Sequence, residues 1–105
     1  MLVRLALEDE RELLVGMVAD AVAETQTGHV FNPDRVREVY ASYLASAHPT
    51  FFLAEHRREV IGFLQAEMGV YDFTDGLFTV QKTLYVRPER RGTRAAAALV
   101  EHMIG

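Results

Sequence analysis

The stretch from Leu84 to Leu99 constrains the fold more than any other part of the chain. An apolar run ends at Pro88, a basic loop containing Gly92 follows, and helical spacing of apolar residues then continues from Thr93 to Ile104. Proline ends a strand because it has no amide to donate to the ladder. The segment therefore predicts a strand, a tight basic loop and a helix.

A strand over Leu2–Ala6 precedes the first predicted helix. Asp9 is placed to cap that helix, with Glu12 as its reciprocal partner three residues on. The helix runs from about Glu10 to Ala23, because apolar residues recur there every three or four positions. We expect its buried face to comprise Leu13, Leu14, Met17, Val18, Ala21 and Val22.

A second helix begins at Asn32 and Pro33. Asn is a favoured N-cap, and Pro fits the first helical position because that position needs no amide donor. Pro49 ends this helix. Its expected buried stripe comprises Val36, Val39, Tyr40, Tyr43, Leu44 and Ala47.

Three further strands are expected, over Phe51–Glu55, Val60–Met68 and Phe78–Val86. The charged run from His56 to Glu59 separates the first two, and a turn over Asp72–Gly76 separates the others. The order is therefore β-α-α-β-β-β-α. It predicts an α/β fold with a mixed sheet and helices on its faces, in a single domain over residues 1–105.

Composition excludes several classes of protein. The 105 residues include no Cys, so disulfide scaffolds and thiolate chemistry are excluded. The formal net charge of −4 disfavours nucleic acid as a partner. No apolar run approaches the roughly 20 residues that cross a bilayer. We therefore expect a cytoplasmic protein with no membrane association. No metal is expected, because His29, His48, His56 and His102 lack metal-ligand spacing.

The loop and first turn of the last helix carry the chemistry of the chain. A helix begins with unpaired N–H groups and the positive end of its dipole. Gly92 allows the backbone to approach a ligand, and the small side chains of Ala95 and Ala96 keep the approach open. Four arginines between positions 87 and 94 add positive charge. These features indicate a pyrophosphate site; the alternative is an ordinary turn with solvated arginines.

This segment resembles the GNAT-type N-acetyltransferases, in which a V-x-P-x-x-R-G strand end leads into a Q/R-x-x-G-x-G/A loop and a helix. Arg94 stands where the family usually has Gly, so its side chain must turn outward or meet a phosphate. Upstream, Phe52–Glu55 and Glu59–Phe63 are similar to the family's second and third strands. The matching positions in the loop are Val86, Pro88, Arg91, Gly92 and Ala96.

The resemblance implies acetyl-CoA as co-substrate and a primary amine, of a small molecule or a protein, as acceptor. The pantetheine arm would pair with backbone groups of Leu84, Tyr85 and Val86. The pyrophosphate would bind N–H groups of Arg91, Gly92, Thr93, Arg94, Ala95 and Ala96. No catalytic base is assigned: Glu67 is a candidate, but a solvent-facing strand glutamate is the favoured interpretation. For Tyr71 and Tyr85 a core or interface role is favoured over proton donation.

Family members continue beyond this helix, whereas the chain ends at Gly105. The expectation is either a shortened product of a longer gene or a fold whose remaining elements come from another chain. The edge of the Phe78–Val86 strand would then pair with a second copy or another protein. A second function therefore stays open, that of a non-catalytic GNAT-like binding protein or small inhibitor.

Overall fold

The structure, a computed structural model, describes residues 1–25, 28, 30–46, 50–70, 73 and 77–104. Its strands are β1 (Leu2–Leu5), β2 (Phe51–His56), β3 (Glu59–Val70) and β4 (Leu77–Val86). Its helices are α1 (Arg11–Thr25), α2 (Pro33–Leu44) and α3 (Ala95–Ile104), with short 3₁₀ turns at Glu8–Glu10 and Pro88–Arg90. The predicted order is confirmed. The predictions for His29, Ala47, His48, Pro49, Tyr71, Asp72, Asp75 and Gly76 lie outside the described residues.

Contacts divide the chain into two compact units. The sheet unit contains Met1–Ala6 and Thr50–Gly105, and therefore the four strands and α3. The helical unit contains Leu7–Pro49, and therefore α1 and α2. The single domain over residues 1–105 stays a prediction.

The four described strands form one sheet in the order β1-β2-β3-β4. Each neighbouring pair is antiparallel, and Leu53, Phe63 and Tyr85 lie side by side across β2, β3 and β4. The α/β class is confirmed, but the described strands contain no parallel pair, where a mixed sheet was expected. For β2 and β3 the reason is local: two residues join these strands, whereas a parallel pair needs a crossover of a dozen or more.

Helix α3 is held to one face of the sheet by a dry apolar cluster. Ala95 and Leu99 of α3 are both fully buried in it. Because Ala95 carries only a methyl group, the start of α3 lies close to the sheet. The buried residues of this cluster are Ala54, Ile61, Leu64, Ala66, Val86, Ala95 and Leu99.

In the helical unit, α2 begins as predicted. The side-chain oxygen of Asn32 accepts hydrogen bonds from the amides of Asp34, at 3.1 Å, and Arg35, at 3.2 Å. Tyr40 and Tyr43 are buried, with ring centroids 5.4 Å apart. Burial raises the pKa of Tyr40 to about 12. The predicted buried stripe does not extend to Leu44, which is 41% exposed.

The predicted cap of the first helix is wrong. Asp9 does not cap it: the chain enters through the 3₁₀ turn, and the amide of Leu7 donates to Glu10, at 2.9 Å. Glu12 bonds to Arg37 instead, at 2.8 Å.

The predicted apolar face is confirmed for Leu14 and Met17 but is wrong at one edge. Leu13 is 38% exposed, whereas Val15 is buried beside Leu14 and Met17. Val18, Ala21 and Val22 are only partly buried. Val15 and Ala19 are apolar as well, so the spacing of apolar residues alone does not decide which edge of this helix is buried.

Candidate functional site

The path from β4 into α3 is fixed by hydrogen bonds to β3. After β4 ends at Val86, the amide of Arg87 donates to the carbonyl of Ile61, at 2.8 Å. The Nε atom of Arg87 donates to the carbonyl of Val60, at 3.1 Å. The chain then makes one 3₁₀ turn and passes through Gly92 with φ of +89°. That left-handed conformation favours glycine, because other residues are strained there.

The start of α3 leaves several amides without an acceptor. Thr93 caps one of them: its Oγ1 accepts from the amide of Ala95, at 3.3 Å, and donates to Arg90, at 2.7 Å. The first bond of the helix joins the amide of Ala98 to the carbonyl of Arg94. Within the described residues no acceptor faces the N–H groups of Gly92, Thr93, Arg94, Ala96 and Ala97. We call these five groups the α3 amide site.

The α3 amide site is open to solvent. A Cβ atom built on Gly92 meets nothing within 4 Å, and Ala96 and Ala97 are exposed. Arg94 does not cover the site: its guanidinium lies 3.4 Å from Glu101, and its side chain is 78% exposed. Glu101 is seven residues on, about 10 Å along the helix. The side chain of Arg94 is thus turned outward, the first of its two expected arrangements.

Arg91 covers the end of β4. Its Nε donates to the carbonyl of Val86, at 3.0 Å, and its guanidinium carbon lies 5.7 Å from the centre of the Tyr85 ring. The side chain of Arg91 thus stabilises the corner where the strand becomes the loop.

The free edge of β4 presents alternate residues. Arg87 pairs with Ile61, and in an antiparallel ladder hydrogen-bonded and non-bonded pairs alternate. Tyr85, opposite Phe63, therefore directs its amide and carbonyl toward β3. Leu84 and Val86 direct theirs toward the edge. A ligand that pairs with this edge would meet Leu84 and Val86, but not the backbone of Tyr85.

A β-bulge interrupts β4 at Lys82. Thr83 lies opposite Gln65 and Gln81 opposite Ala66, so Lys82 is the extra residue. Strict alternation along the strand predicts that Gln81, Thr83 and Tyr85 lie on one face. That prediction is wrong for Gln81, because the bulge shifts its side chain to the opposite face.

The remaining candidates are ordinary surface groups. Glu67 is 64% exposed, and its carboxylate lies 3.7 Å from Nζ of Lys82, as expected for a solvent-facing strand residue. His102 packs edge-on against Phe52, at 5.1 Å between ring centres. In the part of the chain that the structure covers, no three His, Asp or Glu residues are grouped to hold a metal. None of the helices described there has the length and apolarity to span a bilayer.

Sequence reasoning missed the amide of Ala97. The helix was expected from Thr93, which would pair that amide inside the helix, but α3 begins at Ala95. The usable signal was Thr93 itself, because a threonine before a run of alanines is a typical capping residue.

A sequence model of the acetyltransferase (GNAT) family matches residues 16–105. No curated protein sequence matches the chain significantly.

Several solved structures share the fold. An integron cassette protein from the mobile metagenome of Cole Harbour Salt Marsh has a TM-score of 0.84 and 22% identity, over 95% of this chain and 65% of its own. A possible acetyltransferase from Clostridium difficile 630 has a TM-score of 0.85 and 15% identity, over 98% of this chain and 68% of its own. A predicted acetyltransferase with acetyl-CoA from Clostridium acetobutylicum has a TM-score of 0.78 and 16% identity, over 98% of this chain and 70% of its own. The chain thus spans roughly two thirds of the length of these proteins.

Proposed function

The chain belongs to the GNAT family of acetyltransferases, and we propose that it binds acetyl-CoA and takes part in acetyl transfer to a primary amine. The acceptor is a small molecule or a protein. A cytoplasmic location stays a prediction. The family match does not favour the non-catalytic alternative.

The α3 amide site is the observation that carries this proposal. Five N–H groups without a described acceptor lie at the positive end of α3. A diphosphate offers several anionic oxygens to such donors, and the helix dipole favours its charge. The first turn of α3 contains no acidic residue that would repel it.

The pantetheine arm would extend along the edge of β4. An extended chain with amide groups adds to a sheet edge as a strand does. Leu84 and Val86 direct backbone groups outward, although the carbonyl of Val86 already accepts from Arg91. The arm would therefore pair with Leu84 and with the amide of Val86.

The bulge at Lys82 gives the thioester a place to react. Lys82 lies four positions before Val86, about 13 Å at the rise of a strand. A bulge leaves backbone groups out of the ladder. An unpaired N–H there would stabilise the oxyanion that forms when an amine attacks the thioester carbonyl.

The outer edge of β4 also supports a proposal about partners. β4 is the last strand of the described sheet, with no neighbour beyond it there. An unpaired edge is a template for another chain. We propose that a second copy or another protein pairs beyond the pantetheine arm and completes the cleft.

Calorimetric titration with acetyl-CoA tests the proposal. Ala96 is exposed in the first turn of α3, so Ala96→Glu adds a carboxylate beside the diphosphate without a packing clash. We expect binding by the unaltered chain and a loss of at least tenfold in Ala96→Glu, about 1.4 kcal/mol. Ala41→Glu, on the exposed side of α2, is the matched control and should bind normally.

Release of free thiol from acetyl-CoA, measured with a panel of primary amines, tests transfer. Turnover with one amine class and not with others would identify the acceptor. No heat of binding with the unaltered chain would overturn the proposal, and so would equal binding by Ala96→Glu and Ala41→Glu.

A further inference from the structure

The turn between β2 and β3 holds two arginines in an unfavourable conformation. His56 and Glu59 are paired across the hairpin, so Arg57 and Arg58 form a two-residue turn. Their φ values are +51° and +67°, both left-handed. Such turns strongly prefer Asn-Gly, because other side chains are strained at positive φ.

The side chains of Arg57 and Arg58 have no partner within the described residues. Both arginines are exposed, and no described group forms a hydrogen bond or ion pair with either. Strained residues of this kind often belong to ligand clamps. Because the described residues supply no partner, a bound ligand is the candidate partner of these two arginines.

The arginine turn lies at the same end of the sheet as the α3 amide site. The carboxylate of Glu59, the residue after the turn, lies 3.4 Å from the guanidinium of Arg90 in the β4–α3 loop. Ala95, at the start of α3, packs in one cluster with Ala54 and Ile61, which flank the turn on β2 and β3.

Positive charge is concentrated at this end of the sheet unit. Residues 56–59 and 87–94 contain six arginines and two glutamates, in a chain whose formal net charge is −4. Glu59 is paired with Arg90, and Arg94 with Glu101. Arg91 is bonded to the end of β4. The two arginines of the turn are thus available to an external anion.

We propose that Arg57 and Arg58 bind the 3′-phosphate of the coenzyme, a proposal that rests on the proposed function. Coenzyme A carries this third phosphate on the ribose that also bears the diphosphate. A diphosphate on the α3 amide site therefore brings the 3′-phosphate to the same end of the sheet. Two guanidinium groups match its oxygens as paired donors.

Comparison of coenzyme A with 3′-dephospho-coenzyme A tests this inference by calorimetry. The unaltered chain should bind coenzyme A about tenfold more tightly, since a charge-assisted pair contributes on that scale. The double variant Arg57→Asn/Arg58→Gly should bind both compounds equally and as weakly as the unaltered chain binds the dephospho compound.

The same variant distinguishes loss of the phosphate contact from loss of the fold. Asn-Gly suits the turn better than Arg-Arg, so the melting temperature should rise while the phosphate preference disappears. Arg57→Lys/Arg58→Lys keeps both charges at the same backbone angles and should retain most of the preference.

Each outcome decides the inference. Equal binding of the two compounds by the unaltered chain overturns the 3′-phosphate contact but leaves the proposed function intact. A preference that persists in Arg57→Asn/Arg58→Gly assigns the phosphate to other residues and also overturns it. Failure of the unaltered chain to bind either compound removes both proposals together.

Discussion

The starts of α2 and α3 are built in opposite ways. At α2, Asn32 accepts from two amides, Pro33 has no amide, and Asp34 places a carboxylate in the first turn. At α3, the hydroxyl of Thr93 accepts from one amide, and no acidic residue lies in the first turn. The first start satisfies its own donors, whereas the second leaves them open.

Packing of one side of α3 against the sheet, rather than capping of its N-terminus, therefore holds this helix in place. Ala95 and Leu99 are fully buried against the sheet, so the helix is stabilised without a full set of caps. This difference separates stability from ligand binding: a start that is anchored by packing can keep its N–H groups for an anion. The helical unit that contains α2 is acidic: residues 7–49 contain eight carboxylates and three arginines.

The largest effect should come from removing the packing that anchors α3. Leu99→Ala deletes a fully buried side chain and should lower the free energy of unfolding by about 3 kcal/mol, measured by urea denaturation. Leu44→Ala is the matched control on α2, where Leu44 is 41% exposed and should matter far less. Equal losses would contradict the claim that packing holds α3.

Removing the caps should reverse the ranking. Asn32→Ala leaves the amides of Asp34 and Arg35 unpaired and should cost about 1 kcal/mol. Thr93→Ala removes a single, longer bond to Ala95 and should cost less. If Thr93→Ala costs as much as Asn32→Ala, the two starts depend equally on caps and the contrast fails.

A carboxylate at the start of α3 should stabilise the helix while it blocks the ligand. Ala96→Glu should raise the free energy of unfolding by about 0.5 kcal/mol, because a negative charge interacts well with the helix dipole. Thermal melting without ligand measures this gain. A destabilised Ala96→Glu variant would show that the first turn of α3 is not open as described.

The smallest effect should appear in the pH dependence of the helical unit. The hydrogen bond from Arg37 lowers the pKa of Glu12 below its ordinary value of 4.5. A lowered pKa in the folded state adds stability above the unfolded pKa, and that stability is lost as the pH falls through the folded pKa. The stability difference between the unaltered chain and Arg37→Ala should therefore shrink below about pH 4.5. Arg35→Ala, which breaks the exposed pair with Glu38, is the control and should show less pH dependence.

Sequence patterns predicted the features that depend on neighbouring residues. Asn32 and Pro33 fixed the start of α2, and the order of strands and helices followed from local periodicity. The loop around Gly92 could be recognised because the positive φ at this position favours glycine.

Features set by distant partners could not be predicted. The direction of Arg94 depends on Glu101, two helical turns away. The bulge at Lys82 depends on how β4 registers with β3, and it reverses the face of Gln81. The turn at Arg57 and Arg58 carries no Asn or Gly, so its left-handed backbone had no local signal.

Amide resonances of the ¹⁵N-labelled chain, measured during titration with acetyl-CoA, test whether the start of α3 binds the coenzyme. We expect the N–H signals of Gly92, Thr93, Arg94, Ala96 and Ala97 to shift together and saturate at one affinity, while those of Asp34 and Arg35 stay unchanged. Signals at the start of α3 that remain still while the coenzyme binds would contradict this expectation.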